Sequence, residues 1–398
     1  MKILFLEHLF PLPPDSGSKI KSCFTIRSLA SRHEVRLLSY VRGDDERRCI
    51  PEIEGLCSKV DVVDLMRSKA RGGFEALSSL ALGRSFIVSR DFRPQMLRAF
   101  HDAVEQFRPD VVHIDHLQMS PFADFDGRYK TVLDQHNVES VIVRRIGETV
   151  PNPLMRAYAR IEYPRLRRYE LNTCRQCDLV LTVSGEDRDT LRKMDPNLKN
   201  VEPVPIGIDT EGIQIVERNG DRQNALFLGT MYWPPNVDSV TYFCREIMPL
   251  VKKQAPDFTF TIAGQRPTAE VSALAADPSV KVTGYVKDTN EPARDCGVFV
   301  VPLRSGSGVR VKILTAMAMG LPIVSTTVGA EGLELTNGEH ILLADDPNDF
   351  AAAVVKVLGD PELARTLGRN ARELVCSKYS WDVARKRLLE LYDTRLTP

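Results

Sequence analysis

The sequence predicts an α/β protein built from two Rossmann-like domains, each a parallel sheet wound on both faces. Three observations predict it. Short Val/Ile/Leu-rich runs alternate with helical stretches, and the alternation occurs twice along the chain. Most of these runs are almost continuously apolar, as strands covered on both faces are. The 398 residues are long for one domain and natural for two of medium size.

In the first half the strand-like runs are Lys2–Leu6, Glu34–Tyr40, Val60–Leu65, Asp110–Ile114, Thr131–Asp134 and Asp178–Val183. Helical stretches such as Ile20–Ser31 and Pro94–Gln106 lie between them. In the second half they are Ala225–Gly229, Phe258–Ala263, Val280–Gly284, Gly297–Pro302, Pro322–Ser325 and His340–Leu343. The Pro-, Gly- and polar-rich stretch between Pro205 and Asn224 is the expected boundary. The opening MKILFLEHLFPLPP reads as a first strand rather than a signal peptide, because Glu7 and His8 break its apolar run. No segment approaches the roughly 18 apolar residues of a membrane span.

Composition narrows the function classes. An apolar fraction of 43% and a charged fraction of 27% are those of ordinary soluble globular protein. With 53 basic and 53 acidic residues, no global field argues for a nucleic-acid partner. The eight cysteines are scattered, which suits a reducing cytosol. Cys174 and Cys177 form a CxxC without a second Cys/His pair nearby to complete a zinc site, so they read as packing residues at the end of a helix spanning Tyr169–Gln176.

The most informative stretch is Gly306 to Gly332, GSGVRVKILTAMAMGLPIVSTTVGAEG. A small-residue loop runs into an apolar helix, then a strand, then a second small-residue loop. A flexible loop ending at a helix N-terminus offers free backbone N–H groups and the positive end of a dipole, an arrangement that binds phosphate. The stretch resembles the donor-nucleotide segment of retaining, nucleotide-sugar-dependent glycosyltransferases of the GT-B fold. These form family 4, or glycosyl transferases group 1, and the wording is nearest to bacterial exopolysaccharide-type sugar transferases. One departure stands out. The family often places two glutamates eight residues apart, the second before an Ala-Met-Ala run. Here those positions hold Ser307 and Thr315, and no carboxylate lies between Ser305 and Gly320.

The resemblance implies a domain plan. Residues 1–207 form the acceptor-side domain, 208–379 the donor domain, and a helix within 380–398 returns to the first. Pro205-Ile206-Gly207-Ile208-Asp209 is similar to the family's interdomain Pro-Asn-Gly-Val-Asp, without its Asn.

It also implies site residues. In the donor domain they are Gly229 and Thr230 after the first strand, Gly284 and Val286 after the third, and Ser307, Gly308, Val309, Arg310, Lys312 and Thr315 around the helix start. Gly329 belongs to the loop under the diphosphate. Relatives carry cations soon after the first strand. This chain reads TMYWPPNVDS there, so Arg310 and Lys312 are left to neutralise a diphosphate, Arg310 first. In the first domain Gly17, in PPDSGSK, permits close ligand approach, with Lys19 and Lys21 adding charge. His136 follows a strand at the C-terminal sheet edge, where such sheets bind ligands, and the resemblance places it beside the reaction centre. His113 and His116, on either side of Asp115 in VVHIDH, read as supporting or acceptor-side groups, His113 first as structural.

The implied activity is transfer of a sugar from a nucleotide diphosphate sugar to a hydroxyl of a glycan, lipid-linked or small-molecule acceptor, with retention and with neither metal nor cofactor. The expected location is cytoplasmic. The Arg-rich tract Val143–Tyr169 reads first as a solvated helical face and second as a peripheral membrane contact. Two alternatives share the fold: a non-catalytic subunit, which would account for the missing glutamates, and a sugar-nucleotide epimerase. A nicotinamide dehydrogenase is disfavoured, since neither domain opens with GxGxxG.

Overall fold

The computed structural model describes residues 1–66, 75, 78–79, 82–150, 152–217, 223–306 and 309–397, Thr149 by its backbone alone. It separates into two compact units. One comprises Met1–Pro205 with Ala384–Pro398, the other Ile206–Val383.

The first unit holds a seven-stranded parallel sheet, ordered β3-β2-β1-β4-β5-β6-β7. Its strands are β1 (Lys2–Glu7), β2 (Glu34–Val41), β3 (Lys59–Asp64), β4 (Val111–Asp115), β5 (Lys130–Gln135), β6 (Leu179–Thr182) and β7 (Val201–Pro203). The period-2 alternation of side chains divides the sheet's apolar residues between two cores. Leu4, Leu6, Val112, Ile114 and Leu133 join the core beneath the helix Pro94–Phe107. Ile3, Phe5, Val111, Val132 and Leu181 join the core closed by the helices Gly17–Ala30 and Trp381–Arg395. The helix Pro94–Phe107 forms because Pro94 sits at its first turn and Met96, Phe100, Ala103, Val104 and Phe107 line one buried face.

The second unit holds a six-stranded parallel sheet, ordered β10-β9-β8-β11-β12-β13. Its strands are β8 (Asn224–Leu228), β9 (Thr259–Ala263), β10 (Val280–Gly284), β11 (Val298–Val301), β12 (Ile323–Ser325) and β13 (Leu342–Leu343). One core joins Phe227, Phe260, Ile262, Val300 and Val324 to Phe243 and Phe350.

The strands expected in the sequence are present, with shifted ends. The strand expected over His340–Leu343 shrinks to Leu342–Leu343, and β7 had no counterpart, being a three-residue edge strand too short to show a period. The expected Tyr169–Gln176 helix is the end of a longer one, Pro153–Gln176, opened by Asn152 accepting from the backbone N–H of Leu154 and Met155. In each sheet the chain winds first to one side and then to the other. The switch points lie between β1 and β4 and between β8 and β11. Ligands of doubly wound sheets bind at such points, outside the carboxyl ends of the strands.

Candidate functional site

At the first switch point three carboxylates stand side by side. Register pairs Glu7 with Asp115 and Asp115 with Asp134, so the ends of β1, β4 and β5 present them in a row on one face. All three are buried. Isolated charges there would be costly, so each needs a partner. Lys21, on the helix Gly17–Ala30, pairs with Asp134. One turn of that helix also carries Ser22, whose hydroxyl donates to Asp115 Oδ2 at 2.5 Å. His136 Nε2 lies 2.8 Å from Asp115 Oδ1, and His116 Nδ1 lies 3.3 Å from Oδ2. The His116 and His136 rings overlap with centroids 3.8 Å apart. His116 reaches this position with φ of 72°, a left-handed conformation that costs a non-glycine residue energy and collects at functional sites.

The electrostatics follow from this packing. Burial and the Asp115 charge push Glu7 well above the usual carboxyl range, so it stays protonated beside an ionised neighbour. Burial alone would raise Asp115 too, but His136 and His116 hold it well below its ordinary value. Asp134 is brought down to about 2, its burial outweighed by Lys21 and His113. Burial lowers His136 to about 4 against the pull of Asp115, and lowers His8 to about 4 against its bond to Asp91. Asp115, His116 and His136 offer ligand atoms within 4.8 Å of one another, and so do His113, Asp115 and Asp134. Both sets share Asp115, whose oxygens already accept from Ser22 and His136.

This arrangement corrects the reading of the first loop. Gly17 is the first residue of its helix and is not among the glycines with positive φ. Lys19 pairs with Glu46 at 2.9 Å and Lys21 with Asp134, so both charges are spent inside the domain. Glu170 and Glu162, on the helix Pro153–Gln176, cap other helices in trans. Glu170 accepts from the N–H of Glu139 and from Ser140 Oγ, just beyond His136, and burial raises it to about 7. Cys174 and Cys177 are buried free thiols within the apolar core.

The second switch point is different in kind. Gly229 follows β8, and Lys312, in the helix Val311–Ala318, reaches over it. A Cβ on Gly229 would lie 2.9 Å from Lys312 Nζ and 2.8 Å from Asn236 Nδ2, so any larger residue there would push both side chains aside. Lys312 Nζ sits 3.8 Å above the Phe227 ring and donates to Asn236 Oδ1 at 2.7 Å. Asn236 in turn donates to the Thr230 carbonyl at 2.9 Å. No carboxylate pairs with Lys312 among the described residues. Burial and the nearby Arg310 lower its pKa well below the lysine range.

Arg310 is the N-cap residue of the same helix, and its Nη2 donates to the Val328 carbonyl at 3.4 Å. Val309 precedes it, half-buried. Ser307 and Gly308 lie outside the described residues. Gly306, just before them, holds φ of 134°, and Gly284 ends β10 with φ of 69°; half-buried Val286 follows two residues on. Thr315 is half-buried, and its hydroxyl donates to the Val311 carbonyl 3.0 Å away within the helix. Gly329 follows β12 in a tightly packed loop. Its N–H donates to Thr326 Oγ1 at 2.9 Å, and a Cβ there would meet the Val301 carbonyl at 2.6 Å. What presses on Gly329 is the protein's own backbone. Glu334 pairs with Lys378.

The sequence reading missed Glu7 and Asn236 and did not foresee the partners of Lys21. A charged residue closing three strands in register is the trace it left: Glu7, Asp115 and Asp134 are all the last or next-to-last residues of apolar runs.

Comparisons with known proteins bear on both units. Residues 25–212 match the family described as Glycosyltransferase Family 4, and residues 222–360 match Glycosyl transferases group 1. A curated relative from Klebsiella pneumoniae, an uncharacterized 44.6 kDa protein in the cps region, is 26% identical over 39% of this chain and 42% of its own. The GDP-mannose-dependent alpha-(1-6)-phosphatidylinositol monomannoside mannosyltransferase of Mycobacterium tuberculosis is 23% identical over 80% of this chain and 94% of its own. The chain spans about half the length of the curated relatives it first matches, 39% to 59% of each. The structure of Anabaena Alr3699/HepE with UDP and glucose covers 99% of this chain and 100% of its own, with a TM-score of 0.70 at 14% identity, a likeness of fold. The first unit thus carries the match to Glycosyltransferase Family 4 and the second the match to Glycosyl transferases group 1, and the fold, two Rossmann-like units with parallel sheets, is like that of the HepE structure.

Proposed function

We propose that the protein transfers a sugar from a nucleotide diphosphate sugar to a hydroxyl acceptor, with retention, and binds the donor diphosphate at the second switch point. The observation that carries this is Lys312. A half-buried ammonium, held close over Gly229 and facing no carboxylate among the described residues, is costly unless an anion completes it. The N–H groups opening the helix Val311–Ala318 add the dipole's positive end beside it. Relatives support the donor class: one is named for GDP-mannose dependence, and a structure of like fold holds UDP. Helix dipole and cations neutralise the leaving diphosphate, so no metal or cofactor is needed.

On the first unit, the network around Asp115 and His136 borders the acceptor. Acceptors of the proposed class are glycans, lipid-linked sugars or small-molecule hydroxyls. Among the described residues no helix is long and apolar enough to cross a membrane. The helix Pro153–Gln176 exposes Leu154, Met155 and Ile161 among Arg156 and Arg160, which suits a cytoplasmic protein touching an anionic membrane face. A second reading, a non-catalytic subunit, is favoured by Thr315, whose hydroxyl hydrogen is spent on its own helix. Mass-spectrometric screening of a nucleotide-sugar panel decides between them. Released nucleotide supports transfer; binding without release supports the subunit.

A further inference from the structure

The C-terminal helix inserts a side chain into the first sheet's polar network. Tyr392 is fully buried, stacked between His33 at 6.1 Å and His113 at 6.3 Å, while Phe5 covers the other face of His113 at 4.3 Å. The Tyr392 hydroxyl lies 2.5 Å from His113 Nδ1, and His113 Nε2 faces Asp134 Oδ2 at 3.6 Å. Asp134 pairs with Lys21 and stands in register with Asp115, the partner of His136.

Only one tautomer suits both neighbours. A neutral imidazole has one N–H and one lone pair. A lone pair at Nε2 would face a carboxylate and be repelled, so the proton belongs there and Nδ1 must accept. Tyr392 supplies the hydrogen. Burial and the charges of Asp134 and Asp115 keep its phenol protonated.

We propose that Tyr392 is a positioning residue. Its hydroxyl, donating to Nδ1, fixes with Asp134 the Nε2–H tautomer of His113, and through it the Asp134–Lys21 pair beside Asp115 and His136. Its importance for turnover rests on the reading that this network borders the acceptor.

Ring-nitrogen NMR of the full chain tests it. Wild-type His113 should show a protonated Nε2 and a bare Nδ1. Tyr392→Phe, which keeps the stacked ring, should weaken that preference, leaving Asp134 alone to favour it, and shift the His113 and His136 signals. Leu389→Ala, which loosens the same helix without touching His113, should leave the tautomer in place. With a donor and acceptor in hand, Tyr392→Phe should lower kcat several-fold at unchanged donor KM. A wild-type His113 protonated at Nδ1, or ring signals in Tyr392→Phe identical to wild type, overturns the proposal. If the variant does not fold, the wild-type tautomer alone decides. If ring signals respond while no nucleotide sugar is turned over, the wiring stands and the transferase reading falls.

Discussion

The two sheets share one winding and opposite chemistry where the winding reverses. At the first switch point, three carboxylates, a lysine, a serine and three histidines neutralise one another inside one domain. At the second, a lysine leans over a glycine with no carboxylate in reach among the described residues. The first satisfies its polar groups from within, by hydrogen bonds and the Lys21–Asp134 pair. The second holds a desolvated lysine that an anion would stabilise, as the proposed function requires. Topology therefore marks where ligands go, and residue chemistry decides which kind.

The contrast breaks most readily at Asp134. Asp134→Ala would leave Lys21 charged and buried without a partner, and should cost about 3–5 kcal/mol in a urea unfolding titration. A cost near that of a surface mutation would mean the first network is not self-contained.

Next comes Lys312→Met, close in volume and uncharged. It should weaken UDP or GDP binding by about 1.5–3 kcal/mol in calorimetry, while leaving stability equal or higher, since a desolvated cation has been removed. Arg310→Ala should cost less, because that guanidinium already spends a donor on Val328. Unchanged affinity in the Lys312 variant would remove the anion from the second switch point.

A pH series sharpens the first half of the comparison. His136 holds a folded value near 4 against an ordinary 6.5. As pH falls through 6.5 the unfolded chain takes up the proton first, so stability drops down to about pH 4, by up to about 1.4 kcal/mol per pH unit. His136→Gln should flatten this limb. Glu170 acts in the opposite sense: its folded value near 7 lies above an ordinary 4.5, so its contribution improves as pH falls from 7 to 4.5. Glu170→Gln should remove that gain. Unfolding midpoints with unaltered pH slopes in both variants would contradict the burial argument.

The smallest effect is expected at Thr315. Thr315→Glu adds charge-assisted acceptors for ribose hydroxyls, on the order of 1 kcal/mol per bond. Tighter nucleotide binding at unchanged thermal stability is the expected result. Lost stability with no gain in affinity would show that the half-buried position serves packing.

How much of this could be read in the sequence depended on distance along the chain. Strands buried on both faces leave continuous apolar runs, so the parallel sheets were legible. The loop-to-helix phosphate motif was legible because it is local. Lys21 with Asp134 and His113 with Tyr392 left no trace, since partners so far apart show no periodicity. Lys312 was placed beside the diphosphate by its motif, but not over Gly229. Only the adjacency of β8 and the helix Val311–Ala318 carries its ammonium over Gly229. The sequence did not show that Gly329 is crowded by Ser325, Val301 and Thr326, since a glycine's need for space does not say what fills it.

The first unit is discontinuous, and that has a consequence for synthesis. Leu388, Leu389, Leu391, Tyr392 and Leu396 belong to the same apolar core as Ile3, Phe5 and Leu37. The ribosome delivers the whole of Ile206–Val383 between the two parts. The domain made first therefore waits for the domain made second, with Phe5 and His113 uncovered meanwhile. A chain truncated after Val383 and released should hold an N-terminal half that proteases cut and chaperones retain, while the later-made half resists digestion.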